Sequence, residues 1–304
     1  MPAAHVPANS SQRTVLAFAA LVLGAFAMGA SPLFVRLADV GPYASAFWRT
    51  FLALPFLAIW AMAEPRTQPM TALLGDRAMI LSGLFFTGDL FFWHLSILAT
   101  TVANATFLAT MAPIWVALGA WLILGEAVGA RIVGGLILCL IGGAALVGQT
   151  YGFAPHRLLG DFFGILTSIF FGCYMLAIRA ARARMGAGTL AFLSTAVTAA
   201  CLLVIAMSLE PFILPRSWNG AFALLALAMI SQVGGQGLLA VALGILPATF
   251  SSLVIFLEAL AAAALAWIFL GEALGVIQLL GGVLILAGIY FARPRTAPAP
   301  GAAL

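Results

Sequence analysis

A block of sequence in this chain occurs twice, once in each half. Residues 120–143 read AWLILGEAVGARIVGGLILCLIGG, and residues 266–289 read AWIFLGEALGVIQLLGGVLILAGI, 146 positions further on. About half of the aligned positions are identical, including an A-W-x-x-L-G-E-A element. A chain duplicated in this way is expected to fold as two similar units, and internal repeats around a central site are a common plan of membrane transporters.

The composition places the chain in a membrane. Hydrophobic residues make up 64% of it, charged residues only 7%, and the mean hydropathy is +1.16, whereas soluble domains carry roughly 25% charged residues. The basic residues are all arginines and are scattered, so no nucleic-acid-binding patch is predicted. The three cysteines stand singly in apolar runs, with neither metal-site nor disulfide spacing. The predicted fold class is therefore an all-α, polytopic membrane protein.

Ten apolar runs are each long enough to cross the hydrocarbon core, which takes about 20 residues of α-helix. These predicted spans 1–10 lie at residues 14–39, 42–63, 77–99, 102–124, 131–150, 160–181, 187–208, 219–243, 246–270 and 274–292. Spans 1–5 form a first repeat over residues 14–150, and spans 6–10 form a second over residues 160–292. The tails, residues 1–13 and 293–304, are rich in small residues and proline and are predicted to be disordered.

The placement of arginines predicts how the spans are oriented. Most arginines fall in the tails and connections of one side, whereas only Arg36, Arg157 and Arg216 fall on the other. Because cytoplasmic loops are enriched in basic residues, the first side is predicted to be cytoplasmic. The predicted location is a bacterial-type inner membrane, with both termini in the cytoplasm. Five spans, an odd number, separate equivalent positions. The two repeats are therefore predicted to cross the bilayer in opposite directions, an arrangement that suits alternating access.

The same motifs carry a family resemblance. A proline, an apolar run, W-x-x-L-G-E and a Gly-rich helix run from Pro113 to Gly143, and the second half repeats the order from Leu257 to Gly288. Residues 15–292 resemble the EamA domains of the drug/metabolite transporter superfamily, and in overall likeness the aromatic amino-acid exporters of the YddG type. The resemblance implies a ten-helix exporter of metabolites, amino acids or drugs, and it matches Arg49 to an arginine often found there. The chain has Glu258–Ala259 where the family often has Glu-Pro, so no proline kink is implied in span 9.

Three charged residues lie deep inside the predicted spans, away from the span ends. Asp89 falls in the middle of span 3 and Glu258 in the middle of span 9, where a charge costs about 2.5–3.5 kcal/mol on insertion scales and by default marks a functional site. Both are expected to face a cavity and bind an ammonium group or a proton; the alternative is a hydrogen bond between helices. Arg49, about 10 Å deep in span 2, could bind a substrate carboxylate in a bidentate pair, or instead snorkel or form a packing ion pair.

Further polar and aromatic residues are candidates for the same substrate site, with helix packing as the alternative for each. They are Trp48 in span 2, Trp93 and His94 in span 3, Tyr174 in span 6, Gln232 and Gln236 in span 8, and Ser251 in span 9. The duplicated Glu126 and Glu272 are expected to be structural, because each precedes a Gly-rich helix whose free N–H groups a carboxylate can bind.

These features predict a transporter and not an enzyme. The expected function is export of a small organic metabolite, preferably an amino acid with an aromatic or other neutral side chain, by alternating access around a midplane site. The alternative within the transporters is an exporter of drugs or organic cations. The alternative among enzymes is an intramembrane protease with Asp89 and Glu258 as its carboxylate pair. No cofactor is expected, so transport is facilitated or coupled to an ion such as the proton. The expected partners are the solute and the bilayer, not nucleic acid, and the expected assembly is a monomer or a weak homodimer.

Overall fold

The computed structural model describes residues 10–65, 69–100, 102–147, 157–270 and 275–293. These residues form helices joined by turns, with no strand among them. In chain order the helices are α1 Ser10–Gly29, α2 Ser31–Leu37, α3 Pro42–Ala63, α4 Met70–Leu73, α5 Arg77–Ala99, α6 Val102–Ala109, α7 Ala112–Ile123, α8 Ala130–Val147, α9 Leu158–Ala181, α10 Ala187–Leu209, α11 Trp218–Ala226, a π-helical segment Leu227–Gln236, α12 Gly237–Leu243, α13 Ala248–Val254, α14 Leu257–Leu270 and α15 Val276–Ala292. Glu272 and most of both predicted tails lie outside the described residues, although α1 already begins at Ser10.

Within the described ranges, seven helical stretches are long and apolar enough to cross a membrane. They are Gln12–Leu37, Pro42–Ala63, Arg77–Ser96, Leu158–Ala181, Ala187–Leu209, Trp218–Leu243 and Ala248–Leu265. Three shorter apolar helices cover Phe107–Ile123, Ala130–Leu146 and Val276–Ala292. All of these fall largely within the predicted apolar runs, so the all-helical membrane fold is confirmed. The count of ten crossings stays a prediction.

Two of the helical stretches are interrupted at equivalent places in the two halves. The break between α6 and α7 falls at residues 110–111, and the break between α13 and α14 falls at residues 255–256. Helix α14 thus begins 145 positions after α7, within one residue of the offset between the repeated sequence blocks. Pro113 stands in the first turn of α7, where its missing N–H costs nothing. The break before α14 forms without a proline: the N–H groups of Phe256 and Glu258 donate to carbonyls only three residues back, as in a tight 3₁₀ turn.

Helices α8 and α15 pack against each other through four glycines. A Cβ atom added to Gly135 would lie 2.7 Å from the carbonyl oxygen of Gly288, and one added to Gly142 would lie 2.6 Å from that of Gly281. Only glycine permits backbones to approach this closely. Moving 146 positions along the chain converts Gly135 into Gly281 and Gly142 into Gly288, so the two contacts exchange. The opposite faces of both helices are apolar and exposed.

Helices α3 and α10 are joined at both ends by reciprocal carboxylates. Glu64, at the end of α3, accepts hydrogen bonds from the N–H groups of Gly188 and Thr189 at the start of α10. Glu210, at the end of α10, accepts from the N–H groups of Tyr43 and Ala44 at the start of α3, at 2.7 and 3.1 Å. Free N–H groups at a helix start favour a carboxylate, so each helix completes the other. The two glutamates are again 146 positions apart.

A third carboxylate joins the two halves at the end of the bundle that contains Glu64. Glu126, in the turn between α7 and α8, accepts from Arg179 Nε at 3.0 Å and from the N–H of Ala248 at 3.0 Å. Glu126 was predicted to bind the start of α8, which it precedes. It instead binds the start of α13, in the other half. Gly125, immediately before it, has a φ of +66°, a left-handed conformation that favours glycine.

Candidate functional site

A cavity of about 130 Å³ lies inside the bundle, between elements of both halves. Its walls come from α1, α2, α3, α5, the two interrupted stretches, α9 and the end of the π-helical segment. The polar side chains that line it are Ser31, Arg49, Asp89, Trp93, Thr110, Thr167, Gln236, Ser252 and Glu258. The remaining wall is apolar and includes Phe86, Leu90, Phe171, Met175, Ile255 and Phe256. Helices α8 and α15 contribute no described residue to it.

Arg49 is the cationic group of this cavity. It lies two turns into α3 and is buried, with 6% of its surface exposed. Its Nε donates to Gln232 Oε1 at 3.0 Å, and the guanidinium carbon lies 5.5 Å from the centre of the Phe86 ring. In the described part of the chain its two terminal nitrogens donate no hydrogen bond. A fork of two free N–H-bearing nitrogens is the geometry that binds a carboxylate in a bidentate pair.

The π-helical segment positions the side chains that hold Arg49. Gln232 accepts from the guanidinium and donates through Nε2 to Thr195 Oγ1 at 3.2 Å, which fixes the orientation of its amide. One turn later, Gln236 accepts from the Tyr174 hydroxyl at 3.0 Å and lines the cavity. Tyr174 itself is buried behind the wall, where its ring stacks on Phe86 with centroids 4.8 Å apart. Such π-helical stretches are frequent at functional sites.

Asp89 and Glu258 bring negative charge to the same cavity. Both are half-buried and line it, and both lie close enough to Arg49 to interact with it through charge. Neither carboxylate accepts a hydrogen bond from any described residue, and neither forms an ion pair within 4.0 Å. Ionised together with Arg49, the three groups carry a formal charge of −1. A cavity with such a net charge inside an apolar helical bundle favours the entry of a cation or a proton.

Glu258 is positioned by the break in the second half. It stands in the first turn of α14, directly after the interruption at residues 255–256. A carboxylate near a helix N-terminus is stabilised by the helix dipole, and interrupted helices whose ends meet at a cavity are typical of transporter binding sites. The equivalent break in the first half places Ala109, Thr110, Ala112 and Pro113 on the wall. The two halves thus use the same backbone device with different side chains.

The structure brings half of the ten predicted site residues to the cavity wall. These five are Arg49, Asp89, Trp93, Gln236 and Glu258. Gln232 and Tyr174 lie one hydrogen bond behind it, through Arg49 and Gln236. The other three, Trp48, His94 and Ser251, are not among the lining residues.

Those three residues have other surroundings. The indole N–H of Trp48 donates to the carbonyl of Ile213, in the connection after α10. His94 is buried, with Nδ1 2.6 Å from the carbonyl of Leu90, one turn earlier in its own helix. Ser251 is fully buried in α13, and the neighbouring Ser252 lines the cavity in its place. For Trp48 this contact favours the packing alternative. His94 satisfies one ring nitrogen within its own helix, while its Nε2 is buried without a hydrogen-bond partner among the described residues.

Sequence reasoning missed several lining residues in α9. Thr167, Phe171 and Met175 are spaced four apart and form a single stripe on that helix. This spacing was visible in the sequence, but a threonine in an apolar run can bond its own backbone, as Thr167 does with the carbonyl of Phe163. Thr110, at the break in the first half, had no such signal.

The geometry of the described residues is that of a binding cavity. No group of three or more His, Cys, Asp or Glu side chains that could hold a metal ion occurs within the described ranges. An arginine fork, two unbonded carboxylates and an aromatic and aliphatic wall can bind an organic solute that has both charged and apolar parts.

Comparison with known proteins agrees with this description. The model of the EamA-like transporter family matches twice, at residues 15–148 and 158–293. The pseudopaline exporter CntI of Pseudomonas aeruginosa is 29% identical over 185 residues, a match that spans 61% of this chain and 63% of the exporter's length. An uncharacterized transporter of Archaeoglobus fulgidus is 26% identical over 94% of this chain and 99% of its own.

A solved crystal structure also shares the fold, with a TM-score of 0.75 and 19% sequence identity over 93% of this chain and 96% of the other. Both family matches together cover nearly all of the described residues, and each takes in one half of the charged cavity. The family suggested by the W-x-x-L-G-E repeat is thus confirmed: the chain belongs to the EamA-like transporter family.

Proposed function

We propose that this protein exports a small zwitterionic metabolite, most simply an amino acid, through the cavity that contains Arg49, Asp89 and Glu258. The observation that carries the proposal is the pairing of an arginine fork with two unbonded carboxylates in a single apolar cavity. Arg49 binds the carboxylate of the solute in this scheme, Asp89 or Glu258 binds its ammonium group, and Trp93, Phe86 and Phe171 contact its side chain.

The transport cycle we propose is alternating access by two inverted five-helix repeats, residues 14–150 and 160–292. Three independent features support an inverted repeat with an offset of about 146: the glycine contacts of α8 with α15, the glutamates at the ends of α3 and α10, and the two helix breaks. Each feature is converted into its counterpart by the offset. Two halves with the same contacts can exchange the roles of gate and base.

One contact indicates where the cycle opens and closes. Glu126 of the first half binds Arg179 and Ala248 of the second half, at the end of the bundle where arginines predict the cytoplasm. In the proposed cycle, opening the cavity toward that side breaks these bonds. We therefore propose that the described conformation is closed toward the cytoplasm, with both termini on that side of a bacterial-type inner membrane.

The size and the charge of the cavity bear on the solute in different ways. A volume of about 130 Å³ is below the roughly 300–1,000 Å³ of pockets for drug-sized ligands, which supports a small metabolite. The formal charge of −1 supports a second candidate, an exporter of organic cations, or else a zwitterion that moves with a proton. The similarity to a pseudopaline exporter supports export of a small organic solute without favouring either candidate.

Counterflow in proteoliposomes tests the proposal and separates the two candidates. We expect labelled amino acids to exchange, and the Arg49→Gln variant to lose about tenfold or more of its amino-acid affinity while it retains any exchange of organic cations. Arg216→Gln, an exposed arginine outside the cavity, is the matched control. Exchange of cations alone, unchanged by Arg49→Gln, would establish the organic-cation exporter instead.

A further inference from the structure

A second, larger cavity of about 420 Å³ opens at the end of the bundle that contains Glu126. Its walls come from four elements: the turn into α8, the last turn of α9, the start of α13 and the end of α15. Three arginines line it, Arg131, Arg179 and Arg293, against a single carboxylate, Glu126. We call it the arginine cleft. The transport scheme uses its Glu126–Arg179 contact but assigns nothing to Arg131 or Arg293.

The single carboxylate of the cleft is already neutralised. One oxygen of Glu126 accepts from Arg179, and the other accepts from the N–H of Ala248. Arg179 also donates to the carbonyl of Leu243. The pair is therefore satisfied by its own neighbours, and the charges of Arg131 and Arg293 are left over.

The other carboxylates at this end of the bundle are also engaged. Glu64 binds the start of α10, and Asp76 accepts two hydrogen bonds from Arg184. No described carboxylate pairs with Arg131 or Arg293. Close packing of the start of α8 on the end of α15 brings these two arginines to the same cleft, because a Cβ on Gly135 would touch Ala292. The Arg293 guanidinium lies 4.5 Å from the centre of the Tyr290 ring, a contact that leaves its positive charge in place. Two arginines in one cleft, without a carboxylate partner among the described residues, favour an anion.

The surroundings of the cleft indicate the kind of anion. The Thr249 side chain adds a hydroxyl to the wall, and hydroxyl and guanidinium groups together suit phosphate oxygens. The helix faces that lead away from the cleft are apolar and exposed: Val133 and Ile137 on α8 are 44% and 52% exposed, and Tyr290 on α15 is 67% exposed. A basic pocket beside lipid-facing helices on the cytoplasmic side is a recurring site for anionic headgroups.

We infer that the arginine cleft binds a phosphate group, with Arg131 and Arg293 as its principal ligands and Thr249 as a hydrogen-bond donor. The headgroup of an anionic phospholipid of the inner leaflet is the source that the apolar neighbouring faces favour. Its acyl chains would lie along α8 and α15. A soluble phosphate ester is the other source with the same chemistry.

Native mass spectrometry of the full-length protein in detergent tests this site. Delipidated protein is titrated with phosphatidylglycerol, with phosphatidylcholine and, separately, with inorganic phosphate. We expect phosphatidylglycerol to bind in preference to phosphatidylcholine, and the Arg131→Gln/Arg293→Gln double variant to lose about 30-fold of that affinity, since each arginine near an anionic surface contributes about a factor of five.

Two control variants distinguish specific binding at the cleft from nonspecific attraction to basic residues and from misfolding. Arg77→Gln removes an exposed arginine at the same end but outside the cleft, and it should leave lipid affinity unchanged. Arg131→Lys/Arg293→Lys keeps the charge and should restore most of the affinity. Saturation by inorganic phosphate with the same arginine dependence supports the phosphate site and identifies a soluble ligand. Equal binding of both lipids, or equal loss in Arg77→Gln and in the double variant, overturns the proposal.

Discussion

Five of the carboxylates of this protein fall into two regions in which their surroundings are opposite. At the ends of the helices, Glu64, Glu126 and Glu210 accept hydrogen bonds from backbone N–H groups. In the central cavity, Asp89 and Glu258 accept none from the described residues. The first group completes helix starts in the opposite half, which stabilises the fold. The second group has no partner among the described residues and is available to bind a solute. A site that must bind and release a solute requires such groups. A carboxylate in this membrane protein is thus informative through its partners and not through its depth alone.

The largest expected effect comes from removing the available charges. The Asp89→Asn/Glu258→Gln double variant should lose transport by about 100-fold or more, because a solute ammonium would lose both of its charge partners. The unfolding temperature of this variant should change little, because removing two unbonded carboxylates saves desolvation free energy while the buried Arg49 guanidinium loses the charges that face it. Counterflow in proteoliposomes and thermal unfolding in detergent measure the two quantities separately.

Single variants sharpen this prediction. If Asp89→Asn retains transport and Glu258→Gln does not, the ammonium or proton site is at the break before α14. Asn and Gln keep the side-chain shapes, so a loss of folded protein would mean that the carboxylates are structural. Normal transport by all three variants would remove Asp89 and Glu258 from the proposed site.

An intermediate effect, on stability, is expected from the carboxylates at the helix ends. Glu64→Gln and Glu210→Gln should each lower the free energy of unfolding by about 1 kcal/mol, a typical value for a helix cap, and by similar amounts because they occupy equivalent positions. Thermal unfolding of the purified variants measures this loss. Unchanged stability together with lost transport would mean that these glutamates act in transport and not in stabilising the fold. The two regions would then not differ in the role of their carboxylates.

The smallest effect is expected from a carboxylate outside the membrane-spanning helices. Asp76 caps the start of α5, and the Arg184 guanidinium, which donates two hydrogen bonds to it, holds the pKa of its carboxyl below the ordinary value of 3.8. A lowered pKa in the folded state stabilises the protein above the ordinary pKa and loses this contribution as the pH falls through the lowered value.

Arg184→Gln removes the ion pair and leaves the cap of α5 in place. Its cost at neutral pH should be about 0.2–1 kcal/mol, because the pair is exposed. The difference from the native chain should shrink below about pH 4. Unfolding temperatures of both chains from pH 3 to pH 7 measure this difference, and a difference that grows toward low pH would contradict the assigned pKa direction.

The sequence was sufficient for the broad plan because that plan depends on composition and period. The hydrophobic runs predicted the helices, and the repeated W-x-x-L-G-E element predicted the family. Mid-span charge identified Arg49, Asp89 and Glu258, which all line the cavity. The inferences from apolar runs and from mid-span charge rest on a solvation free energy that does not depend on which residues lie nearby in the fold. Exposing an apolar run to water, or a charge to lipid, is unfavourable in any fold.

The parts that the sequence did not reveal depend on partners distant in the chain. His94 and Trp48 carried polar atoms at plausible depths, but Leu90 already binds Nδ1 of His94 and Ile213 binds the indole N–H of Trp48. Glu126 was expected to hold the helix that follows it, yet it binds the start of α13 more than a hundred residues away. Glu64 and Glu210 gave no signal at all, because each lies at an ordinary helix end and only the fold reveals its target.

The reciprocal glutamates also restrict how such a protein could be divided or could have arisen. A chain ending after the first half would contain Glu64 without a helix start to bind, and α3 would begin without Glu210. The first half by itself could repair both defects only by meeting a second copy inserted upside down, so that each copy's glutamate reached the other's helix. Each half therefore depends on the other to complete a helix start, and their linkage in one chain keeps together two halves that would otherwise have to find each other in the bilayer.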